Sequence, residues 1–286
     1  MTYGEWHSLY MSLYKRKLRP KTKESYARLQ GLLAPTLGAV DLAAITPDLI
    51  QRALILVEDQ AGSRQAQLAF ALLHASLRRA VRSGHLAANP VEAVDKPEHE
   101  SQQGKAISGK DWDTLRPVIA SDLAFALMGL AGLRRGECLG LQWGDVDLGA
   151  GLLRIRRQRL RVAGRLIDQP TKSRSGTRDV PIDADRAPLL RSAFRLDRAR
   201  RVVCCSPETL ARRWKSAQLE AGIQQPYRLH DLRHTYATRL ALAGCNAKAL
   251  QYMIGHSSVE LTLNTYTHIG PAEAAREYRR IAGSLH

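Results

Sequence analysis

Four short segments in the second half of the chain carry side chains that could act on a phosphate group. They span residues 132–137, 171–175, 229–234 and 254–268. Phosphoryl transfer needs positive charge near the non-bridging oxygens, a nucleophile, and an acid that protonates the leaving oxygen. The arginines and the lysine of these segments could supply the charge and the acid, and a tyrosine near the C-terminus could attack the phosphorus.

Residue spacing within two of the segments predicts shared helix faces. His230 and Arg233 are three positions apart, and so are Arg134 and Glu137; residues at this spacing lie on the same face of a helix. An arginine beside a glutamate is often only a salt bridge. Two arginines, a lysine and two histidines spread over one basic region favour a cradle for a phosphate instead.

The sequence gives no indication of a metal centre. No cluster of carboxylates with the spacing of a two-metal site lies near the four segments, which argues against metal-dependent nuclease chemistry. The four cysteines form no Cys-x-x-Cys pair with zinc-ligand spacing. We therefore predict that the protein needs no cofactor.

The charge of the chain indicates a polyanionic partner. The 286 residues include 43 Lys and Arg against 27 Asp and Glu, which gives a net charge of +16 at pH 7. A positive field of this size attracts nucleic acid, although a basic surface kept for solubility is the alternative. Residues 15–23 include six basic side chains and no acidic one. They lie beside predicted helices, which favours a folded DNA-binding protein over a loose basic tail.

The elements that must position these residues are mainly helical. In the first hundred residues, Thr22 is expected to cap a helix that begins near Lys23, and Thr46 followed by proline to start another. Ser63 is expected to cap the longest helix, which ends at Gly84. The polar stretch 96–106 is interpreted as a linker between a helical domain, residues 1–95, and a second domain, residues 107–286.

The second domain is predicted to combine helices with a small antiparallel β-sheet. Residues 152–155, 160–162 and 178–182 have β character, and Ala163-Gly164 is a candidate hairpin turn. Ser206-Pro207 is expected to start a helix by the same capping logic as Thr46, and the rest of the chain is helical in pattern. No apolar run approaches the length needed to span a bilayer, and the N-terminus has no secretory signal.

The ordered motifs resemble those of the tyrosine recombinase (phage integrase) family. That family has an arginine in a Gly-Leu-Arg-x-x-Glu segment, a lysine on a β-hairpin turn, a His-x-x-Arg pair, a Gly-His pair and a nucleophilic tyrosine. This sequence departs only slightly, with Ile254 where leucine usually precedes the Gly-His pair. The resemblance implies six catalytic residues: Arg134, Lys172, His230, Arg233, His256 and Tyr266.

In such an enzyme, Tyr266 would attack the scissile phosphate and form a 3′-phosphotyrosine with a free 5′-hydroxyl, without metal or ATP. Arg134 and Arg233 would hold the non-bridging oxygens. Lys172, the only lysine between Lys110 and Lys215, would protonate the leaving oxygen. The alternative for each is structural, namely a packed tyrosine, salt-bridged arginines and a solvated lysine.

The remaining polar residues of the motifs would support this chemistry. His230 would accept the tyrosine proton or bind the phosphate, and His256 would donate a hydrogen bond to a phosphate oxygen. Glu137 would brace an arginine or a histidine. Candidate DNA contacts are Lys21, Thr22, Lys23 and Arg64 in the first domain and Arg174 and Arg178 in the second, although each could equally be solvated surface charge.

The resemblance further implies a two-domain, C-shaped clamp in which a core-binding domain and a catalytic domain enclose double-stranded DNA. The predicted helices of the core-binding domain begin close to Met1, so we expect a compact, arm-less integrase. The implied assembly is a homotetramer on two duplexes that passes through a Holliday junction, with residues 271–285 docking on a neighbouring protomer. A directionality factor is a possible further partner. The expected location is the bacterial cytoplasm, and no membrane is expected as a partner.

Several alternatives stay open at this level. A host or transposon recombinase would use the same chemistry, and so would a type IB topoisomerase. Outside the enzymes, the chain could be a catalytically silent DNA-binding regulator, or a structural basic protein that coats DNA. A covalent adduct on a specific site would separate the recombinases from the last two.

Overall fold

A computed structural model describes residues 1–100, 104–171, 173–182 and 187–255, without the side chains of Arg174 and Ala187. The chain divides into two compact units, Met1–Gln102 and Gln103–His286, each with its own buried core. This division falls inside the polar stretch 96–106.

The first unit is built from helices. Four α-helices, joined by short 3-10 turns at Leu42–Ala44 and Pro90–Ala93, are α1 (Tyr3–Tyr14), α2 (Pro20–Leu37), α3 (Pro47–Ala61) and α4 (Ser63–Arg82). Their apolar faces meet in one cluster around Trp6, whose indole N–H donates a hydrogen bond to Ser76 Oγ at 3.3 Å. The only polar atom of this large side chain is thereby satisfied inside the core.

Helix starts in the first unit follow the sequence signals with two exceptions. The start at Thr46 is confirmed, because its side chain accepts a hydrogen bond from the backbone N–H of Leu49. The predicted cap at Thr22 is wrong, since α2 already begins at Pro20, whose fixed φ suits the first helical position. Ser63 is likewise the first residue of α4, and its N-cap is Gly62, with a φ of +86°.

The second unit combines helices with short strands. Its helices are α5 (Gly109–Ser121), α6 (Leu123–Gly129), α7 (Arg135–Gly140), α8 (Ala187–Ala193), α9 (Pro207–Glu220), α10 (Leu229–Leu242) and α11 (Ala247–Ile254). Its strands are β1 (Val146–Asp147), β2 (Leu152–Ile155), β3 (Arg157–Val162), β4 (Arg165–Pro170) and β5 (Arg178–Pro181). Thus the prediction of a mainly helical fold with antiparallel β-structure is confirmed.

The strands form two sheets where the sequence predicted one. β1, β2 and β5 make a three-stranded antiparallel sheet, and β3 and β4 make a separate hairpin. The predicted turn of this hairpin is confirmed, because Ala163 and Gly164 both have positive φ, +47° and +75°, as a tight two-residue turn requires. In β2, Leu153 and Ile155 alternate inward, which places the three-stranded sheet against the core.

Core packing of the second unit joins the sheet to its helices. Trp214 of α9 lies edge-to-face against Phe125 of α6 with 5.1 Å between ring centroids, and donates from its indole N–H to the carbonyl of Tyr227 at 2.9 Å. α10 packs on α6 and α11, and α7 packs on β3. Among the helices of the described residues, none is both long enough and apolar enough to cross a bilayer.

Candidate active site

Described parts of the four segments converge at the end of α11. Residues 132–137 lead into α7, residues 173–175 stand just before β5, which begins at Arg178, and residues 229–234 open α10. Their side chains meet on one carboxylate, that of Glu137, and on the last backbone carbonyls of α11. Three of the predicted catalytic residues lie outside the described residues: Lys172, His256 and Tyr266.

Arg134 is fixed at the start of α7 from both sides. It is the N-cap residue, and Glu137 accepts hydrogen bonds from its backbone N–H at 2.9 Å and from its Nη1 at 2.8 Å. Two residues earlier, Gly132 has a φ of +68°, and a Cβ atom there would lie 2.4 Å from the ring of Tyr236. Only glycine fits this position. The side chain of Arg134 remains 36% exposed, so it can reach a ligand from solvent.

α10 carries Arg233 into the interior, whereas His230 in its first turn is partly covered by protein and keeps an exposed surface. Its first turn is fixed by Asp231, which accepts a hydrogen bond from the backbone N–H of Arg228 at 2.8 Å. The buried Arg233 donates from Nη1 to the carbonyl of Gly132 at 2.5 Å. One helix turn therefore ties the segment before Arg134 to the His-x-x-Arg pair.

Arginine charges tune the histidine of this site. Loss of surrounding water and the positive charges of Arg233 and Arg134 lower the pKa of His230 below its ordinary value, although Asp231 acts in the opposite direction. The imidazole is therefore neutral near pH 7 and can accept a proton. Burial lowers the pKa of Arg233 as well, but its guanidinium stays charged at neutral pH.

Glu137 is the buried centre of this arrangement. Its Oε1 accepts from Nη1 of Arg178 at 3.0 Å and its Oε2 from Nη2 of the same side chain at 3.0 Å, besides the bonds from Arg134. Nη1 of Arg233 lies 3.9 Å from Oε2. Burial raises the pKa of Glu137, but the hydrogen bonds and charge of Arg178 and the charges of the other two arginines outweigh it, so the pKa lies below its ordinary value. Glu137 is thus a carboxylate at neutral pH.

The three arginines also hold the end of α11. Nε of Arg178 donates to the carbonyl of Met253 at 2.6 Å, Nη2 of Arg233 donates to that of Ile254, and Nη2 of Arg134 donates to that of Gly255 at 2.6 Å. Carbonyls at a helix C-terminus have no partner within the helix. Three consecutive carbonyls directly before His256 are thus each bound by a guanidinium.

The loop between β4 and β5, in which Lys172 falls, is anchored on both sides of that residue. Oγ1 of Thr171 lies 2.7 Å from Oγ1 of Thr177, and the backbone N–H of Gly176 donates to the carbonyl of Ser173 at 3.0 Å. Gly255 has a φ of +61°, and a Cβ atom there would lie 2.7 Å from the carbonyl oxygen of Ser175. This loop therefore touches the glycine directly before His256.

Arg178 was predicted as a DNA contact, and that prediction is wrong. Its side chain has no exposed surface, because both ends of the guanidinium are bound to Glu137 and the Nε to α11. The sequence did hold a signal for burial. Arg178 stands two positions before the buried Val180 in β5, and alternate residues of a strand share one face.

The predicted DNA contacts of the first unit lie in the first turns of α2 and α4. Lys21 and Lys23 are exposed, and Nζ of Lys21 lies 2.7 Å from a carboxylate oxygen of Glu24. Thr22 is half-buried between them. Arg64 is exposed and donates a hydrogen bond to Gln67. The side chain of Arg174 lies outside the described atoms.

A basic cleft in the first unit escaped the sequence analysis. It is a cavity of about 260 Å³ between α1 and α4, with lining that includes Tyr10, Tyr14, Lys15, Arg78, Arg79 and Arg82. The guanidinium of Arg79 lies 4.0 Å from the ring centroid of Tyr14, and its Nε is buried without a hydrogen-bond partner. Within residues 1–100, none of the four cations pairs with a carboxylate. The spacing of 78, 79 and 82 on one helix face was the available signal.

Comparison with known families identifies the class of protein. The family model described as "Phage integrase family" matches residues 116–273, which is more than half of the chain. The chain therefore belongs to the phage integrase family and is by family a tyrosine recombinase.

The chain shares 28% identity with each of two curated relatives. A XerC-like tyrosine recombinase of Caldanaerobacter subterraneus subsp. tengcongensis is 28% identical over 234 residues, covering 68% of this chain and 59% of that protein. This chain thus spans less than two thirds of that relative. The tyrosine recombinase XerC of Serratia marcescens is 28% identical over 280 residues, covering 92% of this chain and 89% of that protein.

Solved structures share the fold. The Tn1549 transposon integrase in complex with transposon right end DNA has a TM-score of 0.80 at 22% identity, covering 99% of this chain and 100% of that chain. A lambda integrase tetramer bound to a Holliday junction has a TM-score of 0.65 at 21% identity, and the match covers 90% of this chain and 78% of that chain. At these identities the likeness establishes the fold alone.

Proposed function

We propose that this protein is a site-specific DNA recombinase of the phage integrase type, which cleaves and rejoins strands through a 3′-phosphotyrosine at Tyr266 without metal or ATP. One observation carries the proposal. Arg134, which caps α7, and Arg233 of α10 both contact Glu137 and both bind the end of α11 that precedes His256. Two arginines brought together beside a neutral histidine fit the non-bridging oxygens of one phosphate.

In the proposed reaction, the phenolic oxygen of Tyr266 forms a bond to phosphorus as the bond from phosphorus to the 5′-oxygen breaks. The phenol proton passes to His230, whose lowered pKa suits it as an acceptor near pH 7. Lys172 gives a proton to the leaving 5′-oxygen. The arginines stabilise the charge that builds up on the non-bridging oxygens, and attack by a 5′-hydroxyl reverses each step.

The proposed partners are duplex attachment cores and three further copies of the chain. The lambda integrase structure, a tetramer bound to a Holliday junction, supports a homotetramer acting on two duplexes. Residues 271–285, which lie outside the described residues, are proposed to dock on a neighbouring protomer. We also propose a cytoplasmic location, in keeping with the bacterial relatives, and a directionality factor as a further partner.

A host-type recombinase is the second candidate. The similarity to XerC of Serratia marcescens runs over 92% of this chain, which favours it. Recombination by the purified chain alone on paired core sites is expected for the phage-type integrase. A requirement for a second, different recombinase would favour the host-type role.

A nicked suicide duplex tests the proposed chemistry. The purified chain is incubated with labelled duplex carrying its core site in the presence of EDTA, and the products are separated on a denaturing gel. We expect a band in which the chain is joined to the 3′-phosphate end of the cleaved strand, and none with a scrambled core. Bound duplex without any adduct would instead favour a catalytically silent DNA-binding regulator.

The basic cleft is proposed to bind backbone phosphates of the same duplex. The double variant Arg78→Gln/Arg82→Gln should weaken duplex binding and reduce the slope of log K against log salt by about 2, one unit for each lost phosphate contact. Fluorescence anisotropy at several salt concentrations would measure this slope. Arg28→Gln/Arg52→Gln removes the same charge from exposed positions of α2 and α3. An equal effect in that control would assign the loss to net charge and not to the cleft.

A further inference from the structure

We infer that Arg178 is a positioning residue of the cleavage reaction, which fixes Glu137 and the end of α11 so that Arg134, Arg233 and the turn before His256 face one phosphate. This inference rests on the proposed function. It assigns a role to a side chain that has no exposed surface and whose three guanidinium nitrogens are all hydrogen-bonded within the protein, so that it acts through its neighbours and not by contact with the DNA.

The first support is the geometry of the contact with Glu137. Nη1 and Nη2 of Arg178 each lie 3.0 Å from a different carboxylate oxygen of Glu137. Two parallel hydrogen bonds between planar groups allow a single relative orientation. Because Arg134 binds the same carboxylate through its backbone and its side chain, the orientation set by Arg178 passes directly to Arg134.

The second support is that Arg178 joins three segments that bear predicted catalytic residues. Besides Glu137 of α7, it binds the carbonyl of Met253 at the end of α11, at 2.6 Å, and the carbonyl of Gly176 in the β4–β5 loop, at 3.1 Å. Its own backbone is held in the sheet by pairing with Ile155 of β2. Through these contacts, the strand that carries Arg178 sets the distances among α7, α11 and the loop in which Lys172 falls.

The third support is electrostatic. One arginine would suffice to neutralise Glu137, yet three guanidinium groups surround it, and Arg178 adds to the repulsion that lowers the pKa of Arg233. A buried ion pair is seldom more stabilising than well-packed apolar side chains. Three positive charges against one negative charge leave a surplus of two, which suits the doubly charged phosphate of the transition state. Arg178 thus contributes orientation and excess positive charge, which an apolar side chain cannot.

Single-turnover cleavage by variants of the full chain tests the inference. Arg178→Met keeps the length of the stem and removes the fork, and Arg178→Lys keeps the charge but not the planar geometry. At saturating suicide duplex, both should cleave at least about tenfold more slowly than the wild type, as is typical when a supporting partner is lost. Duplex affinity should stay within about threefold of the wild type. Arg154→Met is the matched control, because Arg154 lies on the adjacent strand β2 and pairs with Asp147, and its rate should not change.

A pH profile separates positioning from a general loss of structure. Without Arg178, the pKa of Glu137 should rise, because burial would be opposed only by Arg134 and Arg233. A protonated Glu137 accepts fewer hydrogen bonds from the arginines. The acid-side fall of the cleavage rate should therefore begin at a higher pH in Arg178→Met than in the wild type. The Glu137→Gln variant, whose side chain does not titrate, should lose this component of the fall with or without Arg178.

The outcomes distinguish the inference from the proposed function. No adduct with the wild-type chain would overturn the proposed function itself. A wild-type adduct together with variants that cleave at the normal rate would overturn only the role of Arg178. A rate and an affinity that fall together with the melting temperature, or a failure of both variants to fold, would mean that Arg178 is merely structural. Slower cleavage at unchanged affinity, with the shifted acid-side fall, is the result that we expect.

Discussion

Replacement of Tyr266 by phenylalanine should abolish the covalent adduct with the suicide duplex. The substitution removes only the phenolic oxygen and keeps the ring, so folding and duplex binding should persist. Without that oxygen, no bond to phosphorus can form at this position, whatever the state of the arginines. The adduct on a denaturing gel should fall below detection at a protein concentration that fully shifts the duplex on a native gel.

Tyr252→Phe is the matched control for this result. Tyr252 lies on α11, its side chain is exposed, and its hydroxyl accepts a hydrogen bond from the backbone N–H of Asp179 at 3.3 Å. Its variant loses the same atom from a tyrosine fourteen positions earlier in the sequence and should form the adduct normally. An adduct that survives Tyr266→Phe but is absent in Tyr252→Phe would assign the nucleophile to α11.

Replacement of Arg233 by lysine should lower the single-turnover cleavage rate by about 100-fold or more, the usual loss for one transition-state hydrogen-bond donor. The guanidinium of Arg233 binds the carbonyls of Gly132 and Ile254 with two different nitrogens, next to Glu137. A lysine has a single nitrogen and cannot hold both carbonyls and a phosphate oxygen. Rates at saturating duplex, measured beside the dissociation constant, would show a loss confined to the cleavage step.

Arg239→Lys provides the comparison on the same helix. Arg239 is exposed, and its guanidinium lies 4.7 Å from the ring centroid of Trp112, away from Glu137. Its substitution should leave the cleavage rate unchanged. If Arg233→Lys cleaved as fast as Arg239→Lys, Arg233 would be a structural salt-bridging residue, and the proposed phosphate site would lack one of its two arginines.

Local features of the fold were predictable because a few adjacent residues determine them. The helix start at Thr46 depends on a hydroxyl followed by proline, and the hairpin turn on Ala163-Gly164. The split of the strands into two sheets was not predictable, because β1 is only two residues long and carries no periodicity. Pairing of β2 with β5 bridges the whole β3–β4 hairpin, and no local signal encodes it.

Residues of the candidate site were likewise predictable where local spacing marks them, and not where a distant residue determines their surroundings. Arg134, His230 and Arg233 were found because motif order and spacing mark them, but their catalytic roles remain predictions. Arg178 was misassigned as a surface charge because its burial depends on Glu137, 41 positions earlier. Charge alone does not reveal whether an arginine faces solvent or a buried carboxylate.

The basic cleft was not predictable from the sequence either, because its residues come from two distant segments. Lys15 and the arginines at the end of α4 are more than sixty positions apart in the sequence. They meet only because α1 packs on α4. Composition revealed an excess of positive charge, but the place where it concentrates depends on helix packing.

The three arginines bind the backbone of α11, and this affects which substitutions the end of that helix can accept. The hydrogen bonds go to the backbone carbonyls of Met253, Ile254 and Gly255. The contact between the arginines and α11 therefore does not depend on the side chains at these positions. Ile254 in place of the more usual leucine keeps the buried apolar contact and the same carbonyl. Only Gly255, left-handed and pressed against Ser175, is bound to one residue type. Substitutions at Met253 and Ile254 should therefore be tolerated as long as the backbone keeps its three carbonyls in place.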